Sequence, residues 1–342
     1  MARKIDRSDY DVLVAELKAH DVRYYLEDAP VISDVQYDAL YRELVAVEQA
    51  HPGWVRPDSP TQRVAPVPRS DLKKVDRTLR MESLDNTYER EDLVAFDRRV
   101  SGGLGDPDEG PAYVVEPKID GVSLELTYRG GALVLASTRG DGTTGEVVTH
   151  NARTIRAIPL GIAEKREVVV RGEAYIRRTD LELVNREREA AGEEPFANPR
   201  NACAGSLRQL DARVAARRRL RFYAWDLVAG EELFETHFEA LAWLEGLDLP
   251  MHGHHELCTT FEQVMDAVER LELVRPELEY DIDGAVIKLD RYAQRALMGS
   301  TAKAPPPPFA SRDRLPASIR VTTSRPLCFC LWRAAWQMAL MS

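Results

Sequence analysis

In the stretch "VVEPKIDGVSLEL", residues 114–126, the C-terminal side alternates as a half-buried strand does: Val122, Leu124 and Leu126 face one way, Ser123 and Glu125 the other. The run-up does not. Glu116, Lys118, Asp120 and Gly121 crowd together there, and charges beside a half-buried strand are costly unless they are paired or put to use. Lys118 has two readings. It is a nucleophile, whose amine must lose its proton before attacking phosphorus or carbon and needs neighbouring cations or desolvation to do so. Or it is a salt-bridged lysine at a strand edge.

Working outward, "TRGDGTTGE" (138–146) is a Gly-rich connection after a strand, where backbone N–H groups and Arg139 could meet a phosphate, or where Asp141-Gly142 simply turns a hairpin. "VVVRGEAYI" sets Glu173 inside a strand, and "DIDGAVIK" repeats the pattern with Asp283 and Lys288. Lysines and carboxylates embedded in several strands suggest a polar cleft that handles a phosphate and a divalent metal.

The chain has 342 residues, enough for two domains. Its net charge of -10 argues against a uniformly basic nucleic-acid binder, so any such surface must be local. No leader and no run of about 18 apolar residues is present, which predicts a cytoplasmic protein without a membrane span. Cys203, Cys258, Cys328 and Cys330 lack zinc-site spacing and read as free thiols. Residues 1–70 read as helical, with Ser8 as an N-cap and a Ser33–Gln36 capping box, followed by a Pro- and Ser-rich linker from His51. From Leu79 to about Asp290, strands alternate with helical patterns near 179–190, 234–247 and 261–272, predicting an α+β domain. Residues 306–342 hold no Lys, no Glu and only Asp313 among acids, while the other 55 acids precede them. That composition is what a GC-rich gene read in a shifted frame produces, and it predicts poor order; an unusual but genuine tail is the alternative.

In order along the chain stand "DAPVISDVQYDALYREL", "HPGWVRPDSPTQRV", "SLDNTYE", "EPKIDGVSLEL", "TRGDGTTGE", "NARTIRAIP", "VVRGEAYI", "FANPRNACAGSLRQLD" and "YDIDGAVIK". This set resembles the adenylation region of the bacterial NAD-dependent DNA ligases, over about residues 1–305. The resemblance implies a nicotinamide-binding helical module (1–70), a nucleotidyltransferase domain of mainly antiparallel sheets with flanking helices (71–305) and an aberrant tail (306–342). It implies that Lys118 attacks the α-phosphorus of NAD, releases nicotinamide mononucleotide (NMN) and keeps AMP through a P–N bond. AMP then passes to the 5′-phosphate of nicked double-stranded DNA, and the 3′-hydroxyl displaces it. A monomer using NAD and Mg²⁺ is expected.

By the same resemblance, Asp120 orients Lys118, Glu116 and Arg139 contact the nucleotide, Glu173 and Asp283 lie near the ribose and the metal's hydration shell, and Lys288 contacts the α-phosphate. Trp225 stacks on adenine, unless it is an ordinary core aromatic. Ser83 and Leu84 match a nucleotide-binding pair. Tyr24, Tyr25, Asp34, Tyr37 and Asp38 would hold the nicotinamide half, although relatives often carry His where Tyr25 stands. Asp34, Tyr37 and Asp38 fall at i, i+3 and i+4 on one helix face, a spacing that also suits plain N-terminal capping by acids.

Residues 200–221 hold seven arginines against Asp211, a net of 7 - 1 = +6, which is either a DNA surface or a solvated face. The resemblance singles out Arg200 and Arg208. "HGHHE" (252–256) hints at metal ligation but has no second cluster to complete it. After residue 305 the family's further adenylation lysine and downstream DNA-binding domains are missing, so complete nick sealing is expected to be impaired. A catalytically dead nucleotide- or DNA-binding fragment is the competing expectation; an ATP-using ligase or capping-type nucleotidyltransferase should lack the helical module.

Overall fold

The computed structural model describes residues 6–25, 31, 32, 34–63, 72–81, 85–87, 90–104, 110–298 and 318–322. Helix α1 (Arg7–Tyr25) packs on α2 (Asp34–Ala50) through apolar stripes at helical spacing: Tyr10, Leu13, Val14 and Leu17 meet Leu44 and Val47, flanked by Tyr37, Leu40, Tyr41 and Trp54. The cap is not Ser8. Asp6 Oδ1 accepts from Asp9 N at 2.9 Å and Asp9 Oδ2 from Asp6 N at 3.1 Å, a reciprocal box two residues earlier. Ser33, and with it the proposed Ser33–Gln36 box, lies outside the described residues.

Residues 51–63 were expected to be a linker but pack against the helices. Ser59 is fully buried and donates to Glu48 Oε1 at 2.7 Å, which also accepts from Tyr10 Oη at 3.0 Å. A buried carboxylate must collect donors, and the hydroxyls of this segment supply them. Arg63 reaches onward to the carbonyls of Arg153, Ile155 and Ile158 at 3.1–3.3 Å.

The second part runs β1 (Lys74–Asp76), β2 (Asp85–Thr87), α3 (Arg90–Leu104), β3 (Tyr113–Ile119), β4 (Val122–Arg129), β5 (Ala132–Thr138), β6 (Thr144–Glu146), α4 (Thr149–Ala152), β7 (Val168–Tyr175), α5 (Arg178–Ala190), α6 (Pro199–Leu207), α7 (Ala212–Arg217), β8 (Arg221–Ala229), α8 (His237–Glu245), β9 (Glu256–Cys258), α9 (Phe261–Val274), β10 (Ile282–Leu289), α10 (Tyr292–Met298) and β11 (Ser318–Thr322). The α+β class predicted from the patterns is the one observed.

Two sheets carry the domain. One has the order β2-β11-β10-β3-β9, antiparallel except for β11 beside β2; the other is the antiparallel β5-β4-β7-β8. Strand β11 comes from the segment expected to be poorly ordered; its run Ile319-Arg320-Val321-Thr322, β-branched at three of four positions, pairs with the edge of β10. The remainder of 306–342 lies outside the described residues. One core fills the space between the four-stranded sheet and α4, α6 and α8; a second joins α3 and α9 to the far face of β3 and β10.

Candidate active site

Strand β3 lies between the two cores, and its pleat explains its charges. Tyr113 and Val115 enter the core shared with α3 and α9, whereas Val114 enters the other. Glu116 and Lys118 fall on the Val114 side, where that second core gives way to a cleft. Lys118 Nζ contacts Asp283 Oδ2, the lysine side chain being only 13% exposed. Asp283 is the extra residue of a β-bulge, since Ile282 pairs with Ile119 and Gly284 with Lys118. Its Oδ1 is buried without a hydrogen-bond partner among the described residues. Asp120 N donates to Asp281 O at 2.8 Å. Burial and the Asp283 charge raise the Asp120 carboxyl above its usual range, against the pull of Arg200 at 3.8 Å.

Gly121 has a steric reason. A Cβ at that position would lie 2.2 Å from Ala174 O, so only glycine lets β4 begin this close to β7. Glu173 is thereby brought to the cleft, in a cross-strand row with Ser123 and Tyr223. Ser123 Oγ donates to Glu173 Oε2 at 2.9 Å. Burial nevertheless pushes this carboxyl up to about 7, with Ser123, Arg200 and Lys118 opposing the rise. Four groups thus converge: Lys118, Glu173 and Asp283 from three strands, and Asp120 from the turn between β3 and β4.

Farther along β3 and β10, Glu116 is 2% exposed and accepts from His237 Nε2 at 2.8 Å and Lys288 Nζ at 3.0 Å. Lys288 Nζ also donates to Trp225 O at 2.6 Å and sits 5.0 Å from the Trp225 ring centre. Trp225 is itself a bulge residue, because Ala224 pairs with Gly172 and Asp226 with Arg171. Burial and then Lys288 drive the His237 imidazole well below its ordinary range, so it is neutral.

The Gly-rich connection is a turn. Gly140 and Gly142 have φ of 57° and 94°, and Asp141 Oδ1 accepts from Thr143 N and Thr144 N at 2.8 and 2.7 Å. Those N–H groups are spent inside the loop. Arg139 N donates to Ser123 O at 3.2 Å, and the buried Arg77 donates to Arg139 O at 2.7 Å, holding Arg139 beside β4.

In the helical module, Tyr37 Oη donates to Asp21 Oδ1 at 2.8 Å and its ring lies 5.9 Å from the Arg156 guanidinium. The side chains of Tyr24, Tyr25, Asp34 and Asp38, and all of Ser83 and Leu84, lie outside the described residues. Of the seven arginines in 200–221, four meet carboxylates: Arg200 with Asp120, Arg208 with Glu146, Arg213 with Asp211 and Arg219 with Asp180. The +6 count therefore overstates the surface potential. His252 is buried and accepts from His254 N at 3.2 Å, and burial takes it down to about 3. Among the described residues no cluster of three His, Cys, Asp or Glu could hold a metal directly. Cys203 and Cys258 are free and buried. On the side of Asp120 and Asp283 a cavity of about 600 Å³ opens, lined also by Arg178, Arg275 and Asp281.

Sequence reasoning missed His237, Arg77 and Arg178. Only His237 had a local signal: Thr236 and Glu239 form a capping box that fixes it at the first position of α8.

The chain matches the family described as NAD-dependent DNA ligase adenylation domain over residues 69–312, and that described as DNA ligase-like, N-terminal NAD+-binding domain over residues 4–65. It is 44% identical over 308 residues to a DNA ligase of Acetivibrio thermocellus, covering 90% of this chain and 46% of that protein. It is 46% identical over 319 residues to a DNA ligase of Alkalilimnicola ehrlichii, covering 92% and 47%. The chain thus spans about half the length of the curated relatives it matches. A solved mycobacterial DNA ligase D complexed with ATP and MES aligns over 62% of this chain and 54% of that one at 15% identity and a TM-score of 0.32, too low to carry an argument. No described helix is long and apolar enough to cross a membrane.

Proposed function

Because this chain belongs to the NAD-dependent DNA ligase family through its adenylation region, we propose that it carries out the adenylation half of nick sealing. The reading rests on one observation above others: a nearly buried lysine in contact with a bulge carboxylate, within a ring of acidic groups. Lys118 Nζ must shed a proton before it attacks, and Asp283 is the base in contact to take it. The nitrogen lone pair then forms a P–N bond to the α-phosphorus of NAD, while the P–O bond to NMN breaks and its electron pair leaves with the NMN phosphate. Asp120 orients the lysine, and Arg139 and Arg200 offset phosphate charge.

Residues Trp225, Glu116 and Lys288 take the base. Lys288 pairs in register with Val114, four residues from Lys118, or roughly 13 Å along the strand. That separation, and the commitment of its Nζ to Glu116 and Trp225, suit the adenine end better than the α-phosphate. Mg²⁺ fits the acidic end: Asp283 Oδ1 is buried and unsatisfied, and Asp120 and Glu173 both resist ionisation there. Glu173 and Asp283 would hold the ion through its retained waters, and it would neutralise phosphate charge. Residues 1–70, with Tyr24, Tyr25, Asp34, Tyr37 and Asp38, take the nicotinamide half; residues 71–305, with Ser83 and Leu84, form the nucleotidyltransferase. Nicked DNA, contacted by Arg200 and Arg208, receives the AMP from a cytoplasmic monomer.

The test is intact-mass and peptide mass spectrometry after incubation with NAD and Mg²⁺. An AMP adduct on Lys118, absent in Lys118→Ala and not formed from ATP, is expected. No adduct, or one at another residue, would overturn the proposal.

A further inference from the structure

We infer that His237 is a positioning residue that sets base selectivity by holding the Glu116 carboxylate in place; this rests on the reading that Glu116 and Lys288 meet the adenine edge. His237 has no exposed surface, and its ring nitrogen Nε2 lies 2.8 Å from Glu116 Oε1. A carboxylate only accepts, so the hydrogen must sit on Nε2. The other nitrogen, Nδ1, lies 3.5 Å from Asp226 Oδ1 without a hydrogen bond, so this second acceptor holds the hydrogen less well than the 2.8 Å contact at Nε2. The opposite tautomer would turn a lone pair on Nε2 toward Glu116 and would also accept from Lys288 Nζ, 3.3 Å away.

The backbone makes this hold rigid. His237 N donates to Asp290 O at 2.8 Å and Phe238 N to Asp290 Oδ1 at 2.9 Å, so the start of α8 is tied to the chain two residues beyond Lys288. A closed circuit results: Lys288 to Asp290, Asp290 to His237, His237 to Glu116, and Glu116 back to Lys288 at 3.0 Å. With Oε1 committed to the histidine, the orientation of Glu116 is fixed before any ligand arrives. A base stacked on Trp225 would then present its 6-amino group to Glu116 and its N1 to Lys288. A 6-oxo base reverses both polarities.

The experiment is calorimetric titration of NAD and of nicotinamide hypoxanthine dinucleotide into the full chain and into His237→Ala and His237→Gln. Two mismatched bonds to charged groups should make the wild-type chain prefer NAD by on the order of a hundredfold. In His237→Ala that ratio should fall by about tenfold, with His237→Gln, which restores an N–H donor, recovering most of it. A merely structural role would weaken both ligands alike and leave the ratio unchanged, which overturns the inference, as does a wild-type chain that binds both equally. A wild-type chain that binds neither overturns the underlying reading as well. Should the variants fail to fold, ¹⁵N spectra of histidine-labelled wild-type chain at pH 7 decide: a neutral Nε2–H ring at His237 is expected, and an Nδ1–H ring or an imidazolium refutes the proposal.

Discussion

Replacing Glu173 with Gln should stabilise the fold at neutral and alkaline pH and flatten its pH dependence. The Glu173 carboxyl is pushed up to about 7 from the ordinary 4.5, chiefly by burial between β4 and β8. It binds its proton more tightly folded than unfolded. Its contribution is therefore fully present below about pH 4.5, falls as pH rises from 4.5 to 7, and stays lost above that. At about 1.36 kcal/mol per pH unit, the interval from 4.5 to about 7 amounts to about 3 kcal/mol. Ser123 Oγ, 2.9 Å away, can donate to the glutamine oxygen as it does to the carboxylate, so the substitution keeps that bond. Urea unfolding at pH 5 and pH 8 measures the effect: wild-type ΔG should drop between them by up to about 3 kcal/mol more than that of the variant. Added Mg²⁺ should recover stability at pH 8 in the wild type and less in Glu173→Gln. Parallel pH dependences in the two chains would refute the claim that desolvation of Glu173 is a strain on the folded state.

Gly121→Ala would drive a Cβ to 2.2 Å from a backbone carbonyl and 3.0 Å from Glu173 Cγ, so a loss of about 2–3 kcal/mol in urea unfolding is expected, together with loss of the Lys118 adduct. Thr236→Ala removes the capping box at α8 and should cost about 1 kcal/mol by the same measurement. Arg178→Ala should cost about 1–2 kcal/mol: its ion pair with Asp281 is 40% exposed and weak, but its guanidinium also donates to the carbonyls of Leu278 and Tyr280 at 2.7 and 3.2 Å. Faster hydrogen exchange confined to residues 275–283 would mark that loss as local, and Arg178→Lys should not restore it, since an ammonium cannot span those acceptors.

What the sequence made legible was whatever period and composition encode. The strand "ALVLAST" is β5 residue for residue, and the apolar stripe of α1 packs as its spacing says. Lys118, Glu173 and Asp283 stood out because a charge in a strand pattern is conspicuous wherever it falls. The cap at Asp6, the packing of residues 51–63 and the strand at 318–322 were hidden for a different reason. Each depends on a partner distant in sequence or on a choice among several polar residues of equal propensity. Ser59 is buried because Glu48 needs a donor, and nothing within the segment "RPDSPTQR" encodes Glu48. Arg77 and Arg178 look like any surface arginine until the carbonyls they bridge are known.

The same limit acts more sharply on the two residues that flank the cleft. A strict two-residue alternation assigns a side to each residue of β8 and β10, yet Trp225 and Asp283 each occupy the unmatched position of a bulge. A bulge inserts a residue and resets the alternation, so parity counted from the strand ends puts one side of each bulge on the wrong face. That is also why these positions can serve a site. Ladder residues such as Lys118 and Glu173 reach the cleft only where their face of the sheet leaves the core, whereas a bulged residue can be aimed there beside a strand that otherwise faces a core. Asp283 thus meets Lys118 from the strand paired with it, without displacing the core residues Ala285 and Ile287 that follow. A charged pair at the rim of two apolar cores is costly anywhere else in this fold; here the irregular backbone lets the carboxylate reach the lysine while both cores stay closed.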